Sequence, residues 1–447
     1  MNATARRPLA HRATALGLVL GLGLAACSAQ EDGEDPSTSS TSGNSTDSPT
    51  SSASSPTSDE TSPTSDEASS TSSPSSDASP TSSASEPSFD ETGPSSDEAS
   101  PTSDEASGPA TPSPSASGNT AGAPADRPDD PDAGPVTLAV VGDMKLAHRA
   151  AGDIAAGRGA KVFAGVADEL AAPDLTLGNL ETTLGTAADQ GQKVGKRYTF
   201  MSPPNSPKVL QDVGFDYVSL ANNHTYDFGV RGITTTVEHL NAAGLPFSGA
   251  GADPAAARKP AIIEANGRRI AVLSYVDVAN DSYIPFANRD WEARPDRAGV
   301  AWGHPEQVAQ DVAAVRDEVD DVLVMMHAGL ENRTQLNDAQ RGIARAALDA
   351  GATAVLGHHA HVLQGQIAHE QDGTFVAWGL GNFVFDGYPE GAEHTDSAIL
   401  HLTLDDQGVT DVSFTPVALH QGYPVALDPD SARGQRILER LETLPNQ

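Results

Sequence analysis

VTLAVVGD, residues 136–143, joins a run of apolar residues to a polar Gly-Asp pair. A short continuous apolar run is typical of a strand that is buried on both faces. Similar runs recur along the chain and alternate with amphipathic stretches of helical length, which indicates βαβ units and a largely parallel sheet. The predicted strands are Val136–Val141, Leu175–Leu177, Tyr217–Leu220, Ile270–Tyr275, Val322–Met326 and Thr353–Leu356, and the predicted helices are Lys161–Leu170, Ser206–Val213, Gly229–Ala243, Pro305–Val319 and Gln335–Ala350.

The last third of the chain has a different pattern, with strands separated by little helix. Thr374–Trp378, Ala398–Leu404 and Val409–Val417 are apolar runs of this kind, and we expect them to form antiparallel strands of a second sheet. The sequence therefore predicts an α/β fold: a β-sandwich of two sheets packed face to face and flanked by helices. Residues 136–447, about 310 in number, are enough for one such domain.

Polar side chains follow five of the predicted strands. In open α/β folds ligands bind outside the carboxyl ends of the strands, so these side chains are expected to lie close together. Carboxylate, amide and imidazole groups suit borderline divalent metals such as Zn, Mn or Fe. The residues concerned are Asp143, Glu181, Asn222-Asn223-His224 with Asp227, His327 with Glu331, and His358-His359-Ala360-His361.

Each of these motifs also has a structural explanation. Asp143 could cap a helix, Asn223 and the asparagine before it could occupy a turn, and His327 alone could be a hydrogen-bonded core residue. His359 and His361 are more specific, because in an extended segment they share one face and can converge on one ligand. Five such motifs at strand ends favour a shared site.

In this order the motifs resemble those of the CapA capsule-synthesis family over about residues 136–417. That family is linked to poly-γ-glutamate capsule synthesis and export at the cell surface. Its fold is similar to that of the calcineurin-like metallophosphatases, a β-sandwich flanked by helices. The matching segments are Gly142-Asp143, Asn179-Leu180-Glu181, Asn222-Asn223-His224-x-x-Asp227-x-Gly229, His327-x-Gly329-x-Glu331, Gly357-x-His359-x-His361-Val362 and Gly379-Leu380-Gly381-Asn382-Phe383-Val384-Phe385-Asp386.

The likeness to metallophosphatases implies a role for each residue. It implies that one or two divalent ions (Mn, Zn, Fe or Mg) are bound, with Glu181 as the bridging carboxylate. His224, oriented by Asp227, would be the general acid, and Glu331 would orient a ligating histidine. Met144-Lys145 stands where those enzymes place a histidine. The implied metal ligands are Asp143, Glu181, Asn223, His327, His359 and His361.

The first residues predict export. Arg6, Arg7 and Arg12 precede an apolar stretch, residues 16–26, that is too short to span a membrane but suits a signal peptide. The segment before Cys27 resembles a bacterial lipobox. An ordinary signal peptide with an incidental cysteine is the alternative, but Cys27 is the only cysteine, which favours a lipid acceptor. We therefore expect a signal peptide at residues 1–26 and a protein anchored through Cys27 on the extracellular face of the cell membrane.

Residues 27–135 predict a disordered acidic stalk rich in Ser, Thr and Pro. Phe89 is the only aromatic residue between Glu31 and Pro135, so this segment has too little apolar surface to fold. The net charge of −34 divides into +3 before Glu31, −20 from there to Pro135, and −17 in the domain. The domain has no basic stripe, so we expect no nucleic-acid partner. An anionic substrate would need metal ions to supply local positive charge.

Two functions remain open from the sequence. The first is a metal-dependent hydrolase or transferase acting on poly-γ-glutamate or another anionic capsule polymer, beside membrane proteins of capsule synthesis. The second is a non-catalytic surface protein that tethers polymer or an assembly partner through the same fold. A solute-binding lipoprotein would share the anchor, but it leaves the clustered histidines unexplained.

Overall fold

The apolar runs of the sequence form the strands of a computed structural model that describes residues 133–189, 191, 193–278, 290–369 and 373–444. The predicted signal peptide, Cys27 and the stalk as far as residue 132 lie outside the described residues. The strands are β1 Val136–Met144, β2 Leu175–Leu180, β3 Thr183–Leu184, β4 Met201–Ser202, β5 Tyr217–Ser219, β6 Phe247–Ser248, β7 Ala250–Gly251, β8 Ala261–Ala265, β9 Arg268–Asp277, β10 Gly299–Val300, β11 Asp321–Ala328, β12 Ala354–His358, β13 Gln366–His369, β14 Thr374–Ala377, β15 Asn382–Val384, β16 Asp396–Asp405, β17 Gly408–His420 and β18 Tyr423–Ala426.

The first sheet has the order β18-β17-β16-β1-β2-β5-β6, and β15 also pairs with β1. Strands β1, β2, β5 and β6 are parallel to one another. Strands β16, β17 and β18 continue the sheet in antiparallel pairs on the other side of β1. Strand β1 is therefore central, and its carboxyl end lies beside those of β2 and β5.

The second sheet has the order β13-β14-β12-β11-β9-β8. Its inner strands β9, β11, β12 and β14 are parallel, and β8 and β13 add antiparallel edges. Two short pairs, β3 with β4 and β7 with β10, lie outside both sheets.

The two sheets pack face to face because alternate residues of each strand point to opposite sides. Leu138 and Val140 of β1 share one apolar core with Leu323 and Met325 of β11. The hydroxyl of Tyr217 also lies 2.6 Å from Oγ of Ser274 in the other sheet. These contacts make the inner layer of a β-sandwich.

Helices cover both outer faces of the sandwich. The residues of β1 that point away from the second sheet pack with α1, α2, α3 and α4, and the outward residues of β11 and β12 pack with α5, α6 and α7. The predicted fold class, a two-sheet sandwich flanked by helices, is therefore confirmed. The helices are α1 His148–Ala155, α2 Ala167–Ala171, α3 Ser206–Asp212, α4 Gly229–Ala243, α5 Pro254–Ala257, α6 Pro305–Val315, α7 Asp338–Asp349 and α8 Ala432–Thr443, with 3-10 turns at Gly159–Phe163, Arg316–Glu318 and Glu393–Thr395.

The predicted division of strands between the sheets was wrong. We expected one parallel sheet and a second, antiparallel sheet made from the end of the chain. Instead the parallel strands are shared between both sheets, and β16 and β17 complete the first sheet beside β1. Strand β14 joins the second sheet, parallel to β12. Apolar patterning shows that a strand is buried, but it does not show which neighbour the strand pairs with.

In the part of the chain that the structure describes, no helix has the length and apolar character needed to cross a membrane.

Candidate metal centre

Strand ends from both sheets meet at one edge of the sandwich. Asp143 lies on β1, Glu181 directly follows β2, and residues 222–224 follow β5 of the first sheet. His327 lies on β11, and residues 359–361 follow β12 of the second sheet. Every predicted ligand is buried, with at most 3 % of its surface exposed. The prediction that these side chains lie together at the strand ends is thus what the structure shows.

Two glycines allow this close meeting. A Cβ atom at Gly142 would lie 2.0 Å from the carbonyl oxygen of Gly381, and one at Gly357 would lie 2.0 Å from that of Trp378. Only glycine leaves room for these neighbouring backbones. Each glycine therefore lets an adjacent strand approach directly beside the site.

Three side chains make the densest group of ionisable donors. One donor atom each of Asp143, Glu181 and His361 lies within 4.8 Å of the others. Nδ1 of His361 is 3.3 Å from Oδ2 of Asp143, and its Nε2 is 3.9 Å from Oε1 of Glu181. Two carboxylates and an imidazole are a donor set that suits a divalent cation.

Within the described chain, the carboxylate of Glu181 is the member of this group that lacks a hydrogen-bond partner. Its side chain is fully buried, and neither carboxylate oxygen has a hydrogen-bond partner among the described residues. An unpaired buried carboxylate is costly, so such a group neutralises or binds a cation. Burial and the charge of Asp143 accordingly raise the pKa of Glu181 well above its usual value. The residues present therefore fit a bound divalent metal.

The neighbouring groups respond to the same charge. Burial alone would lower the pKa of His361, but the charges of Glu181 and Asp143 raise it to about 10. Burial opposes ionisation of Asp143 too, yet the hydrogen bond with His361 and the charge of His327 hold its pKa well below the usual range. Without a metal, a proton on His361 partly balances the two carboxylates.

A second group of donors adjoins the first. Nε2 of His327 lies 2.9 Å from Oδ1 of Asn223, 3.1 Å from Nδ1 of His359 and 3.6 Å from Oε1 of Glu181. Atoms at these separations can surround a second cation or form a hydrogen-bonded cluster. Glu181 lies between the two groups, which is the place predicted for a bridging carboxylate.

The prediction that His359 and His361 lie on one extended segment was wrong. We expected an extended segment with both side chains on one face. Instead β12 ends at His358, and His359 and His361 have φ angles of 92° and 56°. Positive φ is uncommon for residues other than glycine and marks a strained backbone. A tight loop, not a pleated strand, directs both rings into the site.

His224 and Asp227 form a buried pair beside these donors. Nδ1 of His224 is 2.7 Å from Oδ2 of Asp227, and its Nε2 is 3.9 Å from Oε1 of Glu181. Burial lowers the pKa of His224 to about 4 despite the charge of Asp227. His224 is thus a neutral imidazole at pH 7 whose Nε2 faces the carboxylates.

Two residues that the sequence did not point to contact the pair of His224 and Asp227. Nζ of Lys196 donates to Oδ1 of Asp227 at 2.8 Å and to the carbonyl of Asn223 at 2.5 Å. The ring of Phe200 stacks on His224 with centroids 4.1 Å apart. Both residues lie in a polar segment between β3 and β4 that contains no recognisable motif, so only the folded chain shows their part.

Lys145, where the resemblance leads us to expect a histidine, pairs with a carboxylate behind the site. Its ammonium is buried and lies 2.5 Å from Oδ1 of Asp386. It also lies over the rings of Phe200, at 4.9 Å, and Phe385, at 4.3 Å. Those rings contact His224 and His361, respectively. Lys145 therefore adds a fixed cation behind the site.

Two further predicted residues lie at the edge of the centre. Glu331 is half-buried, and its carboxylate adds to the effect of burial and of Asp143 in raising the pKa of Glu181. Asn382, from the last of the matching segments, lies with Oδ1 2.9 Å from Nδ1 of His361. It therefore orients a candidate ligand, which is the role that we predicted for Glu331.

Known proteins resemble this chain over the same region. The family model described as "Bacterial capsule synthesis protein PGA_cap" matches residues 137–387. The PGA biosynthesis protein CapA of Bacillus subtilis strain 168 is 32% identical over 272 residues, which cover 60% of this chain and 68% of that protein. A Mycobacterium tuberculosis protein named "probable polyglutamine synthesis accessory protein" is 33% identical over 249 residues, covering 53% and 63% of the two chains.

The similarity to solved structures is weaker. A Staphylococcus aureus structure provisionally assigned as a 5′-nucleotidase, in complex with alpha-ketoglutarate, overlaps with a TM-score of 0.38 and 13% identity, covering 68% of this chain and 58% of that one. An overlap this loose says nothing about the chemistry of the site. The family model, in contrast, covers more than half of the chain and contains the predicted motifs from Asp143 to Asn382. The chain belongs to the bacterial capsule synthesis protein PGA_cap family.

Proposed function

We propose that this protein is a cell-surface member of the machinery for poly-γ-glutamate or a similar capsule polymer, and that it is a metal-dependent hydrolase or transferase. The observation that carries the proposal is the buried carboxylate of Glu181, which has no hydrogen-bond partner among the described residues and faces Asp143 and His361. The names of the related proteins from Bacillus subtilis and Mycobacterium tuberculosis support the pathway.

The candidate ligands form two adjoining groups. Asp143, Glu181 and His361 would hold one ion, and the cluster of Asn223, His327 and His359 adjoins it through Glu181. When bound, the metal would lower the pKa of a water molecule and neutralise charge that develops in the transition state. Exclusion of bulk water strengthens every charge interaction at these buried positions.

His224 would move the proton in this reaction. Because Nδ1 shares its proton with Asp227, Nε2 is left to accept a proton from the attacking water. The same nitrogen can then deliver that proton to the leaving group, which is the general-acid role predicted from the sequence. Burial lowers the pKa of His224, and the charge of Lys196 adds to this effect, so His224 starts the cycle neutral.

The alternative function is a non-catalytic one, in which the protein tethers polymer or an assembly partner. Two observations favour it: the Mycobacterium tuberculosis relative is named an accessory protein, and Asn223 and His359 each lie within hydrogen-bond distance of His327. In this case the polar cluster would be a structural network.

Metal content of the full-length chain, purified without chelators, separates the proposals. The metal-dependent function requires at least one divalent ion per chain, and Glu181→Gln should lose it. Wild-type protein without stoichiometric metal would overturn the enzyme proposal. If metal is present, incubation with poly-γ-glutamate, peptides and aryl phosphates tests the reaction class, and no turnover of any of them favours the tethering function.

We also propose that the chain is exported and held at the extracellular face of the membrane by a lipid on Cys27. The predicted lipobox and the single cysteine support this placement. Growth with labelled palmitate should label the wild-type protein and not Cys27→Ser, and the variant should leave the membrane fraction. An unlabelled wild-type protein would contradict the anchor.

A further inference from the structure

The side chain of Asn222 has only one orientation that fits its surroundings. The backbone N–H groups of His224 and Thr225 both donate to its Oδ1, at 3.1 and 3.0 Å. The amide nitrogen of Asn222 consequently donates to the carbonyl of Leu180, at 2.9 Å, and to Oδ1 of Asn179, at 3.1 Å. Backbone groups cannot exchange donor for acceptor, so they fix which end of this amide is the oxygen.

Asn222 in turn fixes the amide of Asn179. Because Oδ1 of Asn179 accepts from Asn222, its Nδ2 is the end that points into the metal centre. That nitrogen donates to Oδ1 of Asp143 at 2.8 Å and lies 3.2 Å from Nδ1 of His327. An amide nitrogen is only a donor, so Nδ1 of His327 must accept.

We propose that Asn222 and Asn179 are positioning residues that set the tautomer of His327, so that Nε2 carries its proton in the metal-free protein. The tautomer follows from the hydrogen-bond partners, because a neutral imidazole has one N–H and one acceptor nitrogen. The proton on Nε2 then points to Oδ1 of Asn223, at 2.9 Å, which accepts it. Nδ1 of His359, at 3.1 Å from the same nitrogen, is a second acceptor.

This tautomer determines which of the two groups of donors binds a cation first. A metal bound by Nε2 of His327 would have to displace its proton, and the proton could not move to Nδ1 while Asn179 donates there. A metal at Nε2 of His361 would also displace a proton, but Nδ1 of that ring keeps its own proton for Oδ1 of Asn382, so the ring that remains is neutral and ready to bind. The first cation therefore binds with that group, and a second, at the cluster of Asn223, His327 and His359, binds more weakly.

The tautomer can be observed directly in metal-free, full-length protein by nitrogen-15 NMR of the histidine rings, with His327→Gln to assign the signal. We expect Nε2 of His327 to be protonated and Nδ1 to be unprotonated. A proton on Nδ1 in the wild-type protein would overturn the inference. This measurement needs no metal and no activity.

Asn179→Asp tests the cause. It keeps an acceptor for Asn222 and replaces the donor that faces both Asp143 and His327 by a carboxylate oxygen. That oxygen can accept from Nδ1 of His327, so the proton of the ring should move there. Titration with Zn²⁺ alone should then show a second binding step that is at least about tenfold tighter than in wild type, the size typical of changes behind a metal ligand.

Asn382→Asp is the matched control, because it adds the same charge beside His361 and does not touch His327. It should leave the His327 tautomer unchanged and should not selectively tighten the second step. If both variants bind the second Zn²⁺ more tightly by the same factor, the added negative charge alone explains the gain. That result would overturn the role of Asn179. The binding order rests on the proposed metal function: if Zn²⁺ does not bind at all, that function fails, while the tautomer is still decided by NMR.

Discussion

The carboxylate of Asp227 is shared between an imidazole and an ammonium group. Its Oδ2 lies 2.7 Å from Nδ1 of His224, and its Oδ1 accepts from Nζ of Lys196 at 2.8 Å. All three side chains are at least nine-tenths buried. One negative charge therefore balances one positive charge, and His224 is free to stay neutral. Removing the charge of Asp227 or of Lys196 would therefore leave its partner as an uncompensated charge in the protein interior.

We predict that Asp227→Asn destabilises the protein by about 3 kcal/mol or more, because it leaves the ammonium of Lys196 buried without a counter-charge. The variant should also lose the proposed hydrolase or transferase activity, since His224 loses its orienting partner. Denaturant unfolding measures the first effect. Combining it with Lys196→Met removes both charges, so the double variant should be more stable than Asp227→Asn alone. A double variant that is less stable would show that the two charges are not coupled.

Because the carboxylate of Glu181 has no hydrogen-bond partner among the described residues, we expect its replacement to preserve stability but to abolish metal binding. Glu181→Gln should leave the metal-free protein as stable as wild type or more stable by about 1 kcal/mol, because the amide has no charge to desolvate. The same variant should lose bound metal. Thermal unfolding with and without a chelator tests both parts. A large loss of stability in the chelated variant would mean that Glu181 is paired in solution.

The pH dependence of stability should differ between metal-free and metal-loaded protein. In the folded chain the pKa of His361 is raised from 6.5 to about 10. Its contribution is fully present below pH 6.5 and is lost as the pH rises through 10. Metal-free protein should therefore lose more than about 1.4 kcal/mol over this range, the value of one pKa unit. Metal-loaded protein should lose less, because the cation replaces the proton. His361→Gln should remove the part of the slope that comes from this imidazole and leave the part that comes from the raised pKa of Glu181.

Lys145→Met tests the fixed cation behind the site. The change keeps the apolar stem but removes the ion pair with Asp386 and the contacts with the rings of Phe200 and Phe385. We expect a loss of about 1.5–3 kcal/mol in unfolding free energy, the range for a hydrogen bond to a charged group. Metal content should remain, since Lys145 is not a ligand. Loss of the metal with unchanged stability would assign Lys145 to the centre itself.

Much of the centre could be predicted from the sequence because strand ends are local features. Asp143, Glu181 and His327 each follow an apolar run, and parallel strands place such residues at one edge. Lys196 and Phe200 could not be found in this way, since they reach His224 from a segment without periodicity. Sheet membership was mistaken for a related reason: the pairing of β16 with β1 joins residues more than 200 positions apart. The local pattern of apolar and polar residues does not indicate such long-range contacts.

The orientation of side-chain amides is another property that only the folded chain shows. Asn179 and Asn222 appear in the sequence as ordinary motif residues. Their donors and acceptors are fixed by backbone groups of Leu180, His224 and Thr225, which become neighbours only when β2 and β5 pair.

The position of the centre at the junction of the two sheets has a mechanical consequence. Asp143, Glu181 and Asn223 come from one sheet, and the histidines of β11 and β12 come from the other. An ion held by both groups would act as a cross-link between layers that otherwise adhere through apolar side chains and a few hydrogen bonds. Sliding of one layer over the other would then have to break ligand bonds, so metal loading should raise the force and slow the rate at which the sandwich is pulled apart.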